Sequence, residues 1–155
     1  MVKIIDTLDA LDNIFKTNNF NFLKEHILDS EEISLISKNN YAINYLNGKN
    51  LKNNLYSDLD INSTLKWLGI FNNDNSLIGL QLINISNHFI ELIIIEKNNK
   101  IKTNNSIFQE VIEFCKSNYN MSIVTFPEND KLKEYYKSFG FIDYSNMDNY
   151  IILNI

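Results

Sequence analysis

The stretch of sequence that decides the fold runs from Asn129 to Phe141 and reads NDKLKEYYKSFGF. Its spacing predicts a helix over Asp130 to Ser138, and Gly140 beyond it suits the left-handed residue that ends a helix. The apolar run Ile123 to Phe126 precedes this helix and predicts a strand. A strand followed at once by a helix with a defined end is typical of a domain that mixes helices with a sheet.

The segments downstream and upstream predict the remaining elements. Two aromatic segments, Phe141 to Tyr144 and Tyr150 to Leu153, predict a closing hairpin. Upstream, the runs LKWLGIF, LIGLQLINIS and HFIELIIIE predict an antiparallel meander. The third run is nearly continuous in apolar residues, so we expect a strand buried on both faces. Ser106 to Asn118 predicts an amphipathic helix with five residues inward, namely Ile107, Phe108, Val111, Ile112 and Cys115.

The N-terminal part of the chain is less regular. Val2 to Ile5 predicts a strand, and Thr7 is a suitable N-cap for a first helix. The apolar residues Phe20, Phe22, Leu23 and Ile27 predict a short second helix. A third helix is expected from a capping box at Asp29 as far as Asn47.

Length and composition fit one domain spanning residues 1–155. The 155 residues are 45% hydrophobic, which is enough for a single core. The net charge of −5 and the absence of a dense lysine block argue against a nucleic-acid surface. The longest apolar run, Leu92 to Ile95, is far too short to span a membrane, and the first residues do not resemble a signal peptide. We therefore expect a cytoplasmic protein without nucleic-acid or membrane partners.

The C-terminal motif and the order of elements resemble the GNAT superfamily of N-acetyltransferases. The matching positions are Asn129, Leu132, Tyr135, Tyr136, Ser138, Gly140 and Phe141, where Leu132, Tyr135 and Ser138 replace the family's Ala, Leu and Lys. The resemblance implies an α/β fold with a mixed sheet of about six to seven strands and about four helices. It also implies transfer of an acetyl group from acetyl-CoA to a primary amine, by direct attack in a ternary complex.

The resemblance assigns roles to two residues of this motif. Asn129 would bind the pantetheine arm of acetyl-CoA, and Tyr136 would be the general acid for the departing thiolate. A phenol with a pKa near 10 is protonated at neutral pH and can serve in this way. The alternative is that Tyr136 and Tyr135 only pack on the helix, with their hydroxyls in water. We expect Tyr135 to be a core residue.

The pyrophosphate loop that the resemblance implies carries no glycine here. The segment from Lys97 reads KNNKIKTNNSIF, and the family's two glycines fall on Thr103 and Asn105 or on Lys102 and Asn104. The expected cofactor contacts are Lys100, Ile101, Lys102, Thr103, Asn104, Asn105 and Ser106. The chain has 27 asparagines and four glycines, and Asn adopts the left-handed conformation more easily than other non-glycine residues. The alternative is an ordinary polar loop that ends in an N-cap.

A general base is harder to assign. The resemblance implies Glu91, which lies on the fourth predicted strand near the position where some members of the family carry a glutamate that deprotonates the amine, often through water. The alternative is an outward or partly buried carboxylate at the start of a strand. His88 could also serve, although a lone His in a turn is more often solvated. The backbone amides of Ile94 and Ile95 would stand near the thioester, one of them as an oxyanion donor.

The remaining residues of chemical interest predict no further site. Cys115 and Trp67 are expected in the core. Two His and one Cys without ligand spacing make a metal site improbable.

The sequence does not determine which amine accepts the acetyl group. A small-molecule amine and a peptide amine are both compatible with the sequence, as is a homodimer. The alternative function is a catalytically silent GNAT-like module that binds a ligand or a protein, since a fold alone does not fix an activity.

Overall fold

The computed structural model describes residues 1–5, 10, 20–24, 64–98 and 107–155. Within these ranges, eight strands form one sheet, and two helices are described over their full length. In chain order the elements are β1 (Val2–Ile5), β2 (Phe20–Lys24), β3 (Thr64–Phe71), β4 (Leu77–Ile85), β5 (Phe89–Asn98), α1 (Ile107–Tyr119), β6 (Ser122–Thr125), α2 (Asp130–Lys137), β7 (Ile142–Asp143) and β8 (Ile151–Leu153).

The sheet is mixed, which confirms the predicted α/β fold class. Its order is β1-β3-β4-β5-β6-β8-β7, and β2 pairs with β5 off this path. The β5–β6 pair is parallel, and the other pairs are antiparallel. Helix α1 connects β5 to β6, because parallel neighbours need a crossover. From β3 onward, the elements follow the order that the resemblance implies.

The predicted short helix around Phe20 is wrong for the residues that the structure describes. Residues 20–24 form β2, paired antiparallel with β5 from Phe20 opposite Asn98 to Lys24 opposite Ile94. Phe20 and Phe22 also fit a period of two, and aromatic residues favour strands when a partner edge is present. Ala10 is helical, while the rest of the predicted first and third helices lies outside the described residues.

The main core lies between α1 and one face of the sheet. The five predicted inward residues of α1 are buried, which confirms that prediction. They pack with residues of the central strands, including Ile90, Leu92, Ile123, Ile151 and Leu153. Full burial of an aliphatic or Phe side chain contributes about 1.5–3 kcal/mol, so this cluster fixes the centre of the sheet. A second cluster on the other face contains Val124, Tyr150 and Ile152.

Asparagine takes the left-handed positions in the turns. Among the described residues, the non-glycine residues with positive φ are Asn75, Asn120 and Asn149, at 71°, 51° and 66°. Gly140, just after α2, has φ of 105°, as its predicted role requires. At these three turn positions the chain therefore has Asn where many proteins have Gly.

Candidate functional site

Strands β5 and β6 run side by side over only four residues and then separate. Their parallel pairing extends from Phe89 opposite Ser122 to Leu92 opposite Thr125. Beyond that point β5 continues to Asn98, while the chain after Thr125 turns towards α2. The buried Thr125 hydroxyl donates a hydrogen bond of 3.2 Å to the carbonyl of Leu92. We call this point of separation, at Leu92 and Thr125, the fork.

A β-bulge lies directly beside the fork. On the β4 side, Leu82 is opposite Ile94 and Ile83 is opposite Leu92, so Ile93 is the extra residue. Bulges bend a strand and are common beside functional sites. The bulge and the last residue of β5 that pairs with β6 therefore both lie within the three residues from Leu92 to Ile94.

Glu91 lies at the fork on the face opposite α1. Its register partners are Asn84 on β4 and Val124 on β6, and Val124 belongs to the second cluster. Its chain neighbours Ile90 and Leu92 belong to the α1 core, as alternation along a strand requires. The side chain is 0% exposed, which contradicts the alternative of an outward or partly buried carboxylate.

The charge of the Glu91 carboxylate affects the pKa of Tyr150. Burial raises the pKa of the Tyr150 hydroxyl, and the negative charge of Glu91 raises it further. The Tyr150 ring packs edge-on against Phe126, with centroids 5.3 Å apart. Asn84, opposite Glu91, is 2% exposed. The surroundings of Glu91 are thus buried yet partly polar, with an amide and a phenol in the same region.

Tyr136 lies in the core on the other face of the sheet. It is 1% exposed, and its ring stacks on Phe108 with centroids 4.3 Å apart and planes 16° from parallel. Phe108 belongs to the first turn of α1, so this stack joins the two helices. The interpretation of Tyr135 as a core residue is wrong, because that side chain is 46% exposed. Tyr135 and Tyr136 point in different directions, as adjacent residues on a helix do.

Asn129 is the N-cap of α2. Its backbone is extended, with φ of −153° and ψ of 170°, and its side-chain oxygen accepts a 2.8 Å hydrogen bond from the amide of Leu132. The side chain is on the surface. Since Oδ1 is used for capping, the group that Asn129 can offer to a ligand is the Nδ2 amide, which is a donor.

Ile94 and Ile95 lie on β5 just past the bulge, with β4 on one side and β2 on the other. Ile95 is opposite Gln81 of β4 and Leu23 of β2, and Ile94 is opposite Leu82 and Lys24. Amides of successive strand residues point to opposite neighbours. One of the two candidate oxyanion amides therefore points to β4, and the other points to the edge where β2 lies.

The other residues singled out from the sequence fall into three groups. Residues 100–106, the expected cofactor contacts, lie outside the described residues. His88 is exposed in the turn between β4 and β5. Cys115 and Trp67 are buried, as predicted, and burial raises the pKa of the Cys115 thiol to about 12.

Three residues near the fork were missed by the reasoning from sequence, namely Asn84, Thr125 and Tyr150. For Asn84 a signal existed, because an amide within the apolar run LIGLQLINI is unusual at a buried strand position. Thr125 gave no signal, since Thr is common in strands on either face. In the part of the chain that the structure describes, no helix has the length and apolarity to cross a membrane. The same residues contain no group of three or more His, Cys, Asp or Glu suited to hold a metal.

Comparison with known proteins gives a similarity in structure. No protein-family model matches the chain, and no curated protein matches it. The fold is similar to the crystal structure of the Campylobacter jejuni N-acetyltransferase PseH, with 24% sequence identity and a TM-score of 0.46. The alignment covers 87% of this chain and 97% of that one. At this identity and TM-score, the similarity assigns neither an activity nor a substrate to the chain.

Proposed function

We propose that the chain is an N-acetyltransferase that moves an acetyl group from acetyl-CoA to a primary amine by direct attack in a ternary complex. The observation that carries this proposal is the fork, with Glu91 beside it. Glu91 is buried on one face of the sheet and Tyr136 on the other, and the strands separate between those faces. A thioester placed in the gap would be reached by a base from one side and an acid from the other.

The proposed reaction needs one proton to leave nitrogen and one proton to reach sulfur. Glu91 accepts a proton from the amine, directly or through water, and the nitrogen attacks the thioester carbonyl. The amide of Ile94 or Ile95 donates a hydrogen bond to the oxyanion that forms. When the carbon–sulfur bond breaks, Tyr136 donates its proton to the thiolate. The products are the acetylated amine and CoA. For a neutral amine no net proton is released, because the proton taken up by Glu91 replaces, through solvent, the one that Tyr136 gives to sulfur. An ammonium substrate loses one further proton to solvent before it attacks.

Several described residues fit acetyl-CoA as a substrate. The Nδ2 group of Asn129 stands at the surface beside the start of α2 and can donate to an amide carbonyl of the pantetheine arm. For the glycine-free loop of residues 100–106, support comes from the turns elsewhere in the chain. Asn adopts positive φ at Asn75, Asn120 and Asn149, so in this chain Asn supplies the conformation that glycine would otherwise supply where backbone amides are presented to phosphates.

A second candidate function is a catalytically silent binding module with the same fold. Strand β2 favours it, because β2 pairs with β5 at the residues that the proposed mechanism gives to the thioester. A chain in which this pairing were permanent would present no free amide to an acyl donor. The two functions therefore differ in whether acetyl-CoA binds at all.

A thermal-unfolding titration with acetyl-CoA separates these functions. A ligand that binds only the folded state stabilises it by about 2.7 kcal/mol at a hundred times its dissociation constant. For the transferase we expect the melting temperature to rise with acetyl-CoA, in wild type and in Tyr136→Phe alike. The Phe variant is the matched control because it retains the ring that stacks on Phe108. An unchanged melting temperature in millimolar acetyl-CoA would favour the silent module.

A further inference from the structure

The edge of β5 beyond the fork carries a strand from elsewhere in the chain. Strand β4 covers one edge of β5, from Leu82 opposite Ile94 to Gly79 opposite Lys97. On the other edge, β6 pairs as far as Leu92, and β2 pairs with the residues from Ile94 to Asn98. We call Ile94–Asn98 the edge segment. Strand β2 therefore fills the space that opens when β6 departs.

An unpaired strand edge is costly when it is shielded from water. Each buried backbone amide or carbonyl left without a partner costs free energy, so at a buried edge the departing strand is replaced by another strand, a ligand or water. Any replacement must offer an extended chain with donors and acceptors along one side. A peptide strand meets that requirement, and so does an extended ligand that contains amide groups.

Among the residues that the structure describes, strand β2 is paired along one edge only. It has five residues, and among the described strands its pairing partner is β5 alone. A short strand at an edge can open without disturbing the ladders of its neighbours, and such elements open at lower free energy than core strands. The β3–β4–β5 ladder would remain intact if β2 detached, because β4 and β6 hold β5 independently of β2.

We propose that β2 is an autoinhibitory strand that competes with acetyl-CoA for the edge segment. The inference rests on the proposed function, which assigns one amide of Ile94 or Ile95 to the thioester. With β2 paired, the amide that points away from β4 is directed at β2. Acetyl-CoA reaches that amide only in the conformation from which β2 has detached. The apparent affinity is then the intrinsic affinity reduced by the fraction of molecules with β2 detached.

Locking β2 in place with a disulfide tests this competition. Asn21 and Lys97 are directly opposite in the register, and paired Cα atoms of antiparallel strands are at a separation that a disulfide can bridge. Asn21→Cys with Lys97→Cys gives a lock that a reductant opens. Cys115 is buried and will not compete for the new thiols. Asn21→Cys alone, under the same oxidising conditions, is the matched control.

A second variant releases the strand. Successive residues of β2 direct their amides to opposite sides, so Asn21→Pro with Phe22→Pro removes one donor that faces β5 whichever way the strand is oriented. Hydrogen exchange without ligand then reports on the edge segment. We expect the amides that face β2 to exchange at least about tenfold faster in the double-proline variant. Equal exchange in the two proteins would mean that β2 does not protect this edge, and would overturn the proposal.

Acetyl-CoA binding measured by calorimetry completes the test. We expect the oxidised double-cysteine protein to bind at least about tenfold more weakly than its reduced form, and the double-proline variant to bind about tenfold more tightly than wild type. Equal affinity of the oxidised and reduced forms would overturn the inhibitory role of β2 and leave the transferase standing. If the double-proline variant and the reduced protein both fail to bind, the proposed function itself falls, and the competition falls with it.

Discussion

Substitutions of Asn129 are expected to change the stability of the protein and its binding of acetyl-CoA independently. Its side-chain oxygen accepts the amide of Leu132 at 2.8 Å and so caps α2, whereas the proposed function uses its Nδ2 group. Asn129→Ala removes both groups. Asn129→Asp and Asn129→Ser retain an oxygen that caps the helix but remove the amide donor.

The expected magnitudes follow from these two roles. Replacing an N-cap Asn by Ala costs about 0.5–2 kcal/mol, so the free energy of unfolding should fall by about 1 kcal/mol in the Ala variant. In the Ser and Asp variants it should stay within about 0.5 kcal/mol of wild type, with Asp helped by the helix dipole. Losing one hydrogen bond of about 0.5–1.5 kcal/mol weakens acetyl-CoA binding by about 2- to 12-fold in all three variants.

Urea unfolding followed by circular dichroism measures the first effect, and calorimetry with acetyl-CoA measures the second. The Ser variant shows whether weaker binding in the Asp variant comes from the lost amide or from added negative charge near an anionic ligand. Wild-type affinity in both Ser and Asp variants would remove Asn129 from the cofactor site. Wild-type stability of the Ala variant would show that the cap has no energetic role.

Three further predictions concern other residues. Tyr136→Phe should lower kcat by about 10²–10⁴-fold with little change in KM for acetyl-CoA, because the acid is lost while the stack on Phe108 stays; steady-state kinetics that show wild-type turnover would contradict this role. Gly140→Ala should lower the free energy of unfolding by about 1–2 kcal/mol, since φ is 105° and the new Cβ would lie 3.3 Å from Leu153 Cδ1; an unchanged urea midpoint would refute the strain. Burial raises the pKa of Cys115 from 9.0 to about 12, so the stability that the neutral thiol contributes is present below pH 9 and is lost as pH rises towards 12. Unfolding at several pH values should therefore show a steeper loss above pH 9 in wild type than in Cys115→Ala, and parallel curves would argue against the shift.

Much of the sheet could be predicted from the sequence because its strands are long and their turns are marked. The apolar runs around Trp67 and Ile83 are separated from each other by a cluster of polar turn residues. Helix α1 carries its five buried residues at helical spacing. Strand β2 could not be predicted in this way. The spacing of Phe20, Phe22 and Leu23 fits either period, and the deciding factor is the β5 edge, more than seventy residues away in the chain.

In the candidate site too, features set by local spacing could be predicted, and features set by tertiary contacts could not. Asn129 and Tyr136 stand in a local motif, so their place on α2 follows from spacing alone. The burial of Glu91 depends on neighbours from β4 and β6, and the exposure of Tyr135 depends on the angle at which α2 packs. Such properties arise from tertiary contacts, which short-range periodicity does not contain.

Release of CoA thiol from acetyl-CoA, measured across a panel of primary amines, tests the central claim most directly. The panel should contain small cationic amines, amino acids and peptides, with Tyr136→Phe assayed beside wild type. A thiol reagent is suitable because Cys115 is buried and will not contribute to the signal. The transferase predicts amine-dependent thiol release by wild type that falls sharply in Tyr136→Phe. Release no faster than the enzyme-free rate with every amine, together with no binding of acetyl-CoA, would contradict it.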